Sequence, residues 1–176
     1  KTLYEITKHE YLNEIPFTAA PLFYFVFHSY LFNFKKYIYL DCDTIINCDL
    51  RELYDIDLQS KIIAMCEDWS RKFITYKGIK YRAYNGGVYV SKVKPCSLIW
   101  EKMYDHVLDN LEWAKLGMQH SMNVIIRDIV QRIDSKWNMS VKHLSGTPKI
   151  YHYNTIIKNP KLKDKLYKKY EDSCYR

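Results

Sequence analysis

Apolar and polar positions recur with two different periods along this chain, and the changes of period mark its elements. Tyr37 to Leu40 is a short β-rich run ending at Asp41, and Lys61 to Cys66 (KIIAMC) is a second. Gly87 to Ser91 (GVYVS) alternates apolar with polar, as a half-buried strand does. Between Ser97 and Trp113 the period lengthens. Ile99, Met103 and Val107, with Trp100, Tyr104, Leu108 and Leu111, recur three and four residues apart, which predicts an amphipathic helix. A second helix is predicted through Met122, Ile125, Ile126, Ile129 and Val130, and strand-like pieces return at Ser135 to Met139 and Ile150 to Tyr153. Strands interleaved with helices predict an α/β fold with its site at the strand ends.

One stretch fits neither period. Ile15 to Phe34 is twenty residues without a formal charge, about the length that spans a bilayer. Pro16 and Pro21, the polar Thr18, His28, Ser29 and Asn33, and the strand that follows favour a buried helix with Pro21 in its first turn, where a missing amide proton costs nothing. Lys1 to Glu14 is mixed in charge and has no apolar run, so it does not read as a signal peptide.

Composition narrows the picture further. The 176 residues are 48% apolar and 27% charged, enough for one domain with a real core. The five glycines, at 78, 86, 87, 117 and 146, allow neither a G-x-G-x-x-G loop nor a Walker phosphate loop. The five cysteines (Cys42, Cys48, Cys66, Cys96, Cys174) form no C-x-x-C pair, so neither a zinc site nor a disulfide framework is expected; thiols of this kind favour the cytoplasm or the cytoplasmic face of a membrane, while the localisation stays open. Asn138-Met139-Ser140 is a lone glycosylation sequon.

The net charge of +7 is concentrated at one end. From Pro148 to Arg176 eight basic residues face Asp164, Glu171 and Asp172. Leu162, Leu166, Tyr167 and Tyr170 share a face there, so residues 161–176 read as a basic amphipathic tail, solvated or in peripheral contact with an anionic membrane. The tyrosines lie mostly in core-like runs, so no nucleic-acid partner is expected.

The chemistry-bearing segment is Tyr37-Ile-Tyr-Leu-Asp41-Cys-Asp43. Residues two apart on a strand project from one face, so both carboxylates can reach one metal ion. Hard divalent cations take oxygen ligands, and Mg²⁺ or Mn²⁺ commonly completes its shell with substrate phosphates.

In this context the chain resembles the family 8 retaining glycosyltransferases, which have a GT-A fold. Tyr39 to Leu58 (YLDCDTIINCDLRELYDIDL) is similar to the family's metal-binding segment, and Tyr84-Asn85-Gly86-Gly87-Val88 to its Phe-Asn-Ala-Gly-Val strand. Gln119 and Asn123 in MQHSMN stand where the family has Asp-Gln-Asp-x-x-Asn, Lys136-Trp137-Asn138 matches a Lys-Trp-Asn piece, and His152 to Lys158 matches a His-x-x-Gly-x-x-Lys.

The resemblance implies a GT-A-like nucleotide-diphospho-sugar transferase fold, a mixed central sheet flanked by helices. Residues 1–160 would be part of a catalytic domain whose nucleotide-binding start lies upstream. It implies transfer of a hexose, with retention, from a UDP-sugar to a glycan, lipid or protein acceptor. Asp41, Asp43 and His152 would hold Mn²⁺ or Mg²⁺, Lys158 would meet the diphosphate, Asn85 and Gly86 the donor sugar, and Gln119 the reacting face. Met118 and His120 replace the two carboxylates flanking that glutamine, which opens a second reading as a noncatalytic nucleotide-sugar or protein-binding module on the same fold.

Overall fold

A computed structural model describes residues 31, 33–110, 118–153 and 168. Four strands form the central sheet: β1 (Lys36–Leu40), β3 (Ile63–Glu67), β6 (Tyr84–Lys92) and β7 (Val130–Ile133), in the order β1-β6-β3-β7. Strand β6 runs antiparallel to both β1 and β3, while β7 is parallel to β3, so the sheet is mixed, as expected. A second sheet joins β2 (Thr44–Ile46), β9 (Ile150–His152) and β8 (Met139–Ser140) in that order, and β4 (Phe73–Tyr76) pairs with β5 (Ile79–Arg82) as a separate hairpin.

Strand β6 is the centre of the core because it is paired on both edges and covered on both faces. Its odd and even residues go to different neighbours, as the two-residue period requires. Val88 and Val90 pack with Ala64, Cys66, Trp137, Ile150 and Leu53, the last from the short helix α1 (Arg51–Tyr54). Tyr89 faces the opposite layer, where helix α2 (Val93–Asp109) contributes Ile99, Trp100, Met103 and Val107, and helix α3 (Met118–Ile126) contributes Met122 and Ile126.

Helix α2 starts four residues before the predicted Ser97. Pro95 lies in its first turn, where the amide it lacks would have had no partner within the helix. Helix α3 stops at Ile126, and the predicted continuation through Ile129 and Val130 is a strand instead. Tertiary pairing overrides periodicity there: the carbonyl of Ile129 accepts from the amide of Ile62, and Val130 lies beside Ile63 in the parallel ladder. The predicted strand at Ser135 is a 3-10 turn over Ser135–Trp137, capped by the Asp134 carboxylate on the Lys136 amide at 2.8 Å, and only Met139 and Ser140 pair.

The β4–β5 hairpin was not predicted. Lys77 and Gly78 both have positive φ, 48° and 78°, the backbone of a tight two-residue hairpin turn. No helix among the described residues is long and apolar enough to cross a membrane. The predicted helix over Ile15–Phe34, nearly all of it, and the basic tail, apart from Lys168, lie outside the described residues.

Candidate active site

Strand β1 ends at Leu40, so Asp41 and Asp43 sit on the turn into β2 rather than on the strand. The turn is closed by the Thr44 hydroxyl donating to the Asp41 carbonyl at 2.8 Å, and it is tied to β6 by the Asp41 amide donating to the Gly87 carbonyl at 2.7 Å. Immediately after Asp43, β2 pairs antiparallel with β9, and Thr44 lies opposite His152. That register carries a histidine far along the sequence to the two aspartates. His152 Nε2 is 3.5 Å from Asp41 Oδ2 and 3.2 Å from Asp43 Oδ1, and one ligand atom from each residue lies within 4.8 Å of the others.

Hydrogen bonding fixes which ring nitrogen faces the carboxylates. The Gly87 amide donates to Asn85 Oδ1 at 3.0 Å, so that oxygen is an acceptor. Asn138 must therefore donate its Nδ2 to Asn85, at 2.8 Å, and present its own Oδ1 to His152 Nδ1 at 2.9 Å. The imidazole then donates from Nδ1 and turns the Nε2 lone pair toward Asp41 and Asp43. Two carboxylates and a lone pair converge on one point, a set that a divalent cation satisfies. Burial pushes the Asp41 carboxyl above its ordinary value and the nearby Asp43 adds to the rise, against the Tyr39 hydroxyl, which donates at 2.8 Å, and His152. The donor set fits Mn²⁺ or Mg²⁺.

Gly87 is the floor under this triad. A Cβ there would lie 2.1 Å from His152 Cε1 and 2.8 Å from Asp41 Oδ2, so no other residue fits without displacing the site. One residue earlier, Gly86 turns to a different neighbour. Its amide donates to Gln119 Oε1 at 3.0 Å, and Gln119 Nε2 donates to Asp68 Oδ2. The other Asp68 oxygen takes the amide and hydroxyl of Ser70, both at 2.7 Å. Asn123 grips the Tyr84 backbone at both its amide and its carbonyl, 2.7 and 2.9 Å, which docks α3 on β6 and sets the position of Gln119. Asp68, Ser70, Gln119 and Asn123 line a pocket of about 90 Å³, with Arg71 and His120, which contact each other, on its wall.

The structure thus brings Asp41, Asp43 and His152 together and sets Asn85, Gly86 and Gln119 beside them. Lys158 lies outside the described residues. Asp68 and the pivotal roles of Gly87 and Asn138 were not foreseen. Asn138 did stand within a matched motif, whereas Asp68 carried no sequence signal. The sequon at Asn138 is buried at 2% exposure with its side chain bonded on both sides, so it is closed to modification in this fold.

A family profile described as glycosyl transferase family 8 matches residues 1–162. The chain belongs to that family. A Haemophilus influenzae protein provisionally named a glycosyltransferase is 27% identical over 128 residues, covering 64% of this family 8 chain and 36% of its own length. Among solved structures, a complex of the galactosyltransferase LgtC with donor and acceptor sugar analogues superposes with a TM-score of 0.64 at 16% identity, over 82% of this chain and 63% of LgtC. The glycosyltransferase GlyE of Streptococcus pneumoniae gives 0.59 at 23% identity, over 74% of this chain and 36% of GlyE. The α/β architecture of this family 8 chain is therefore that of the GT-A glycosyltransferases. It spans about a third of the curated relative and under two thirds of LgtC.

Proposed function

We propose that this chain is the metal-binding and donor-binding part of a retaining glycosyltransferase that moves a hexose from a UDP-sugar to a glycan, lipid or protein acceptor. The convergence of Asp41, Asp43 and the Nε2 lone pair of His152 carries this reading. Mn²⁺ or Mg²⁺ bound there supplies Lewis-acid neutralisation of the charge that develops on a departing diphosphate. The protein's own part is to hold the Asp41 carboxylate through the Tyr39 hydroxyl and the imidazole in one tautomer through Asn138 and Asn85. Asn85, whose carbonyl is committed to Gly87 and Asn138, would offer its amide protons to a sugar hydroxyl. Gln119, held at one end by Gly86 and at the other by Asp68, would lie against the reacting face of the sugar, and Lys158 would meet the diphosphate.

The test is release of UDP from UDP-glucose and UDP-galactose by the full chain with Mn²⁺ and with a chelator. Mn²⁺-dependent release that disappears in Asp43→Asn is the expected result. Tight nucleotide-sugar binding without any release would instead assign the chain as a binding module, the reading prompted by Met118 and His120. Absence of both binding and release would remove the transferase reading.

A further inference from the structure

The pocket beside Gln119 carries a charge that the donor-binding reading leaves unused. Its wall holds one guanidinium, that of Arg71 on the loop after β3, and one carboxylate, that of Asp68 three residues earlier. The obvious pair does not form. Asp68 gives one oxygen to the amide and hydroxyl of Ser70 and the other to Gln119 Nε2, all of them neutral donors. Arg71 meets α3 instead, where its Nη1 contacts His120 Nε2. A guanidinium donates and cannot accept, so the imidazole nitrogen accepts, and an imidazole that accepts at Nε2 is neutral. None of the ion pairs among the described residues involves Arg71.

Position 120 is what leaves this charge in place. The family 8 pattern has a carboxylate there and another at 118, and a carboxylate in the place of the His120 ring would pair with Arg71 and cancel it. With Met118 and His120 the guanidinium keeps its charge, and the rest of its donors, at the wall of the pocket. That pocket also holds Gln119, which accepts from the Gly86 amide and donates to Asp68, so it adjoins the place where a sugar would lie. The planar fork of an arginine matches a carboxylate with two parallel hydrogen bonds. Asp68 on the same wall favours a ligand with one negative charge over the nearly two of a phosphate monoester.

We propose that the sugar bound beside Gln119 is a hexuronic acid, with its carboxylate held by Arg71. The proposal rests on the transferase reading and narrows its hexose to an acidic one. Gln119 lies against the donor sugar on that reading, so the donor is the first source of the carboxylate to test and the acceptor the second.

UDP-glucuronate and UDP-galacturonate against UDP-glucose and UDP-galactose probe the donor, titrated calorimetrically into the full chain with Mn²⁺. Free glucuronate and galacturonate against glucose and galactose, with UDP also present, probe the acceptor. In one of the two sets an acidic sugar is expected to bind about tenfold more tightly than its neutral counterpart, a preference that shrinks as salt is raised because Arg71 is exposed. Arg71→Gln abolishes the preference and Arg71→Lys keeps part of it. His120→Asp abolishes it as well, by giving Arg71 a partner, whereas the neutral His120→Gln preserves it. All four variants keep the affinity for UDP and the thermal midpoint of wild type. Equal binding of acidic and neutral sugars in both sets overturns the proposal, as does a preference that survives Arg71→Gln or His120→Asp. Failure of wild type to bind UDP with Mn²⁺ would strike the transferase reading instead.

Discussion

Two adjacent glycines divide the site into halves built on different physical terms. Gly87 lies under the candidate metal triad, where a Cβ would meet ring and carboxylate atoms at 2.1 to 2.8 Å, the ring being held by a chain of hydrogen bonds from Asn85 through Asn138 to His152 and the carboxylate by Tyr39. Gly86 faces α3, where a Cβ would meet the Met122 Cε at 3.2 Å, the far end of a flexible side chain. The first half has no slack. The second adjoins a pocket lined by side chains on α3 and on the loop after β3, among them Gln119, Arg71 and His120. The contrast separates two ways of placing side chains: the candidate metal ligands are set by the turn between β1 and β2 and by the pairing of β2 with β9, and the neighbouring pocket by a loop and a helix end.

Substitutions at the two glycines test that contrast most severely. Gly87→Ala should cost about 3 kcal/mol of stability, at the upper end of overpacking, and abolish Mn²⁺ binding in whatever protein remains folded, measured by denaturant unfolding and metal titration. Removing the hydrogen-bond acceptor behind the imidazole should do less. Asn138→Leu leaves His152 without its Nδ1 partner, and its Mn²⁺ affinity should fall roughly 10–100-fold, while Asn138→Asp, which keeps an acceptor, should retain more of it.

A pH-dependent effect of opposite sign is expected at Asp41. Burial raises its pKa in the folded protein above the ordinary 3.8, so ionising it costs the metal-free fold. The favourable contribution is complete below the unfolded value and is lost as pH rises through the raised folded one. Metal-free Asp41→Asn should therefore melt at a higher temperature than wild type at neutral pH, a difference that fades toward acid pH, even though the variant binds no metal. The smallest effect belongs to the pocket side: Gly86→Ala should change stability by under about 1 kcal/mol and leave Mn²⁺ affinity unaltered.

The same division governs how much could be read in the sequence. The three candidate metal ligands were legible because D-x-D and a distant histidine sit in matched motifs, and Gly87 to Ser91 was legible as a strand, although Val88, Tyr89, Val90 and Ser91 prove buried on both faces rather than the half-buried run expected. What the sequence did not carry was pairing. Ile129 and Val130 continue a helical stripe in sequence, but their backbone completes the ladder beside Ile62 and Ile63. Asp68 has no motif around it, and only the fold brings it to Gln119. Gly87 reads from sequence only as the first residue of a strand, and the position of His152 above it reveals that the constraint on it is space.

The most direct test of the account is a Mn²⁺ titration of the full chain in the presence of UDP, followed by electron paramagnetic resonance, for wild type and Asp43→Asn. The account predicts one Mn²⁺ bound per wild-type chain, UDP binding that requires it, and loss of both in the variant. Binding of UDP that is equally strong in a chelator, or Mn²⁺ uptake undiminished by Asp43→Asn, would contradict it.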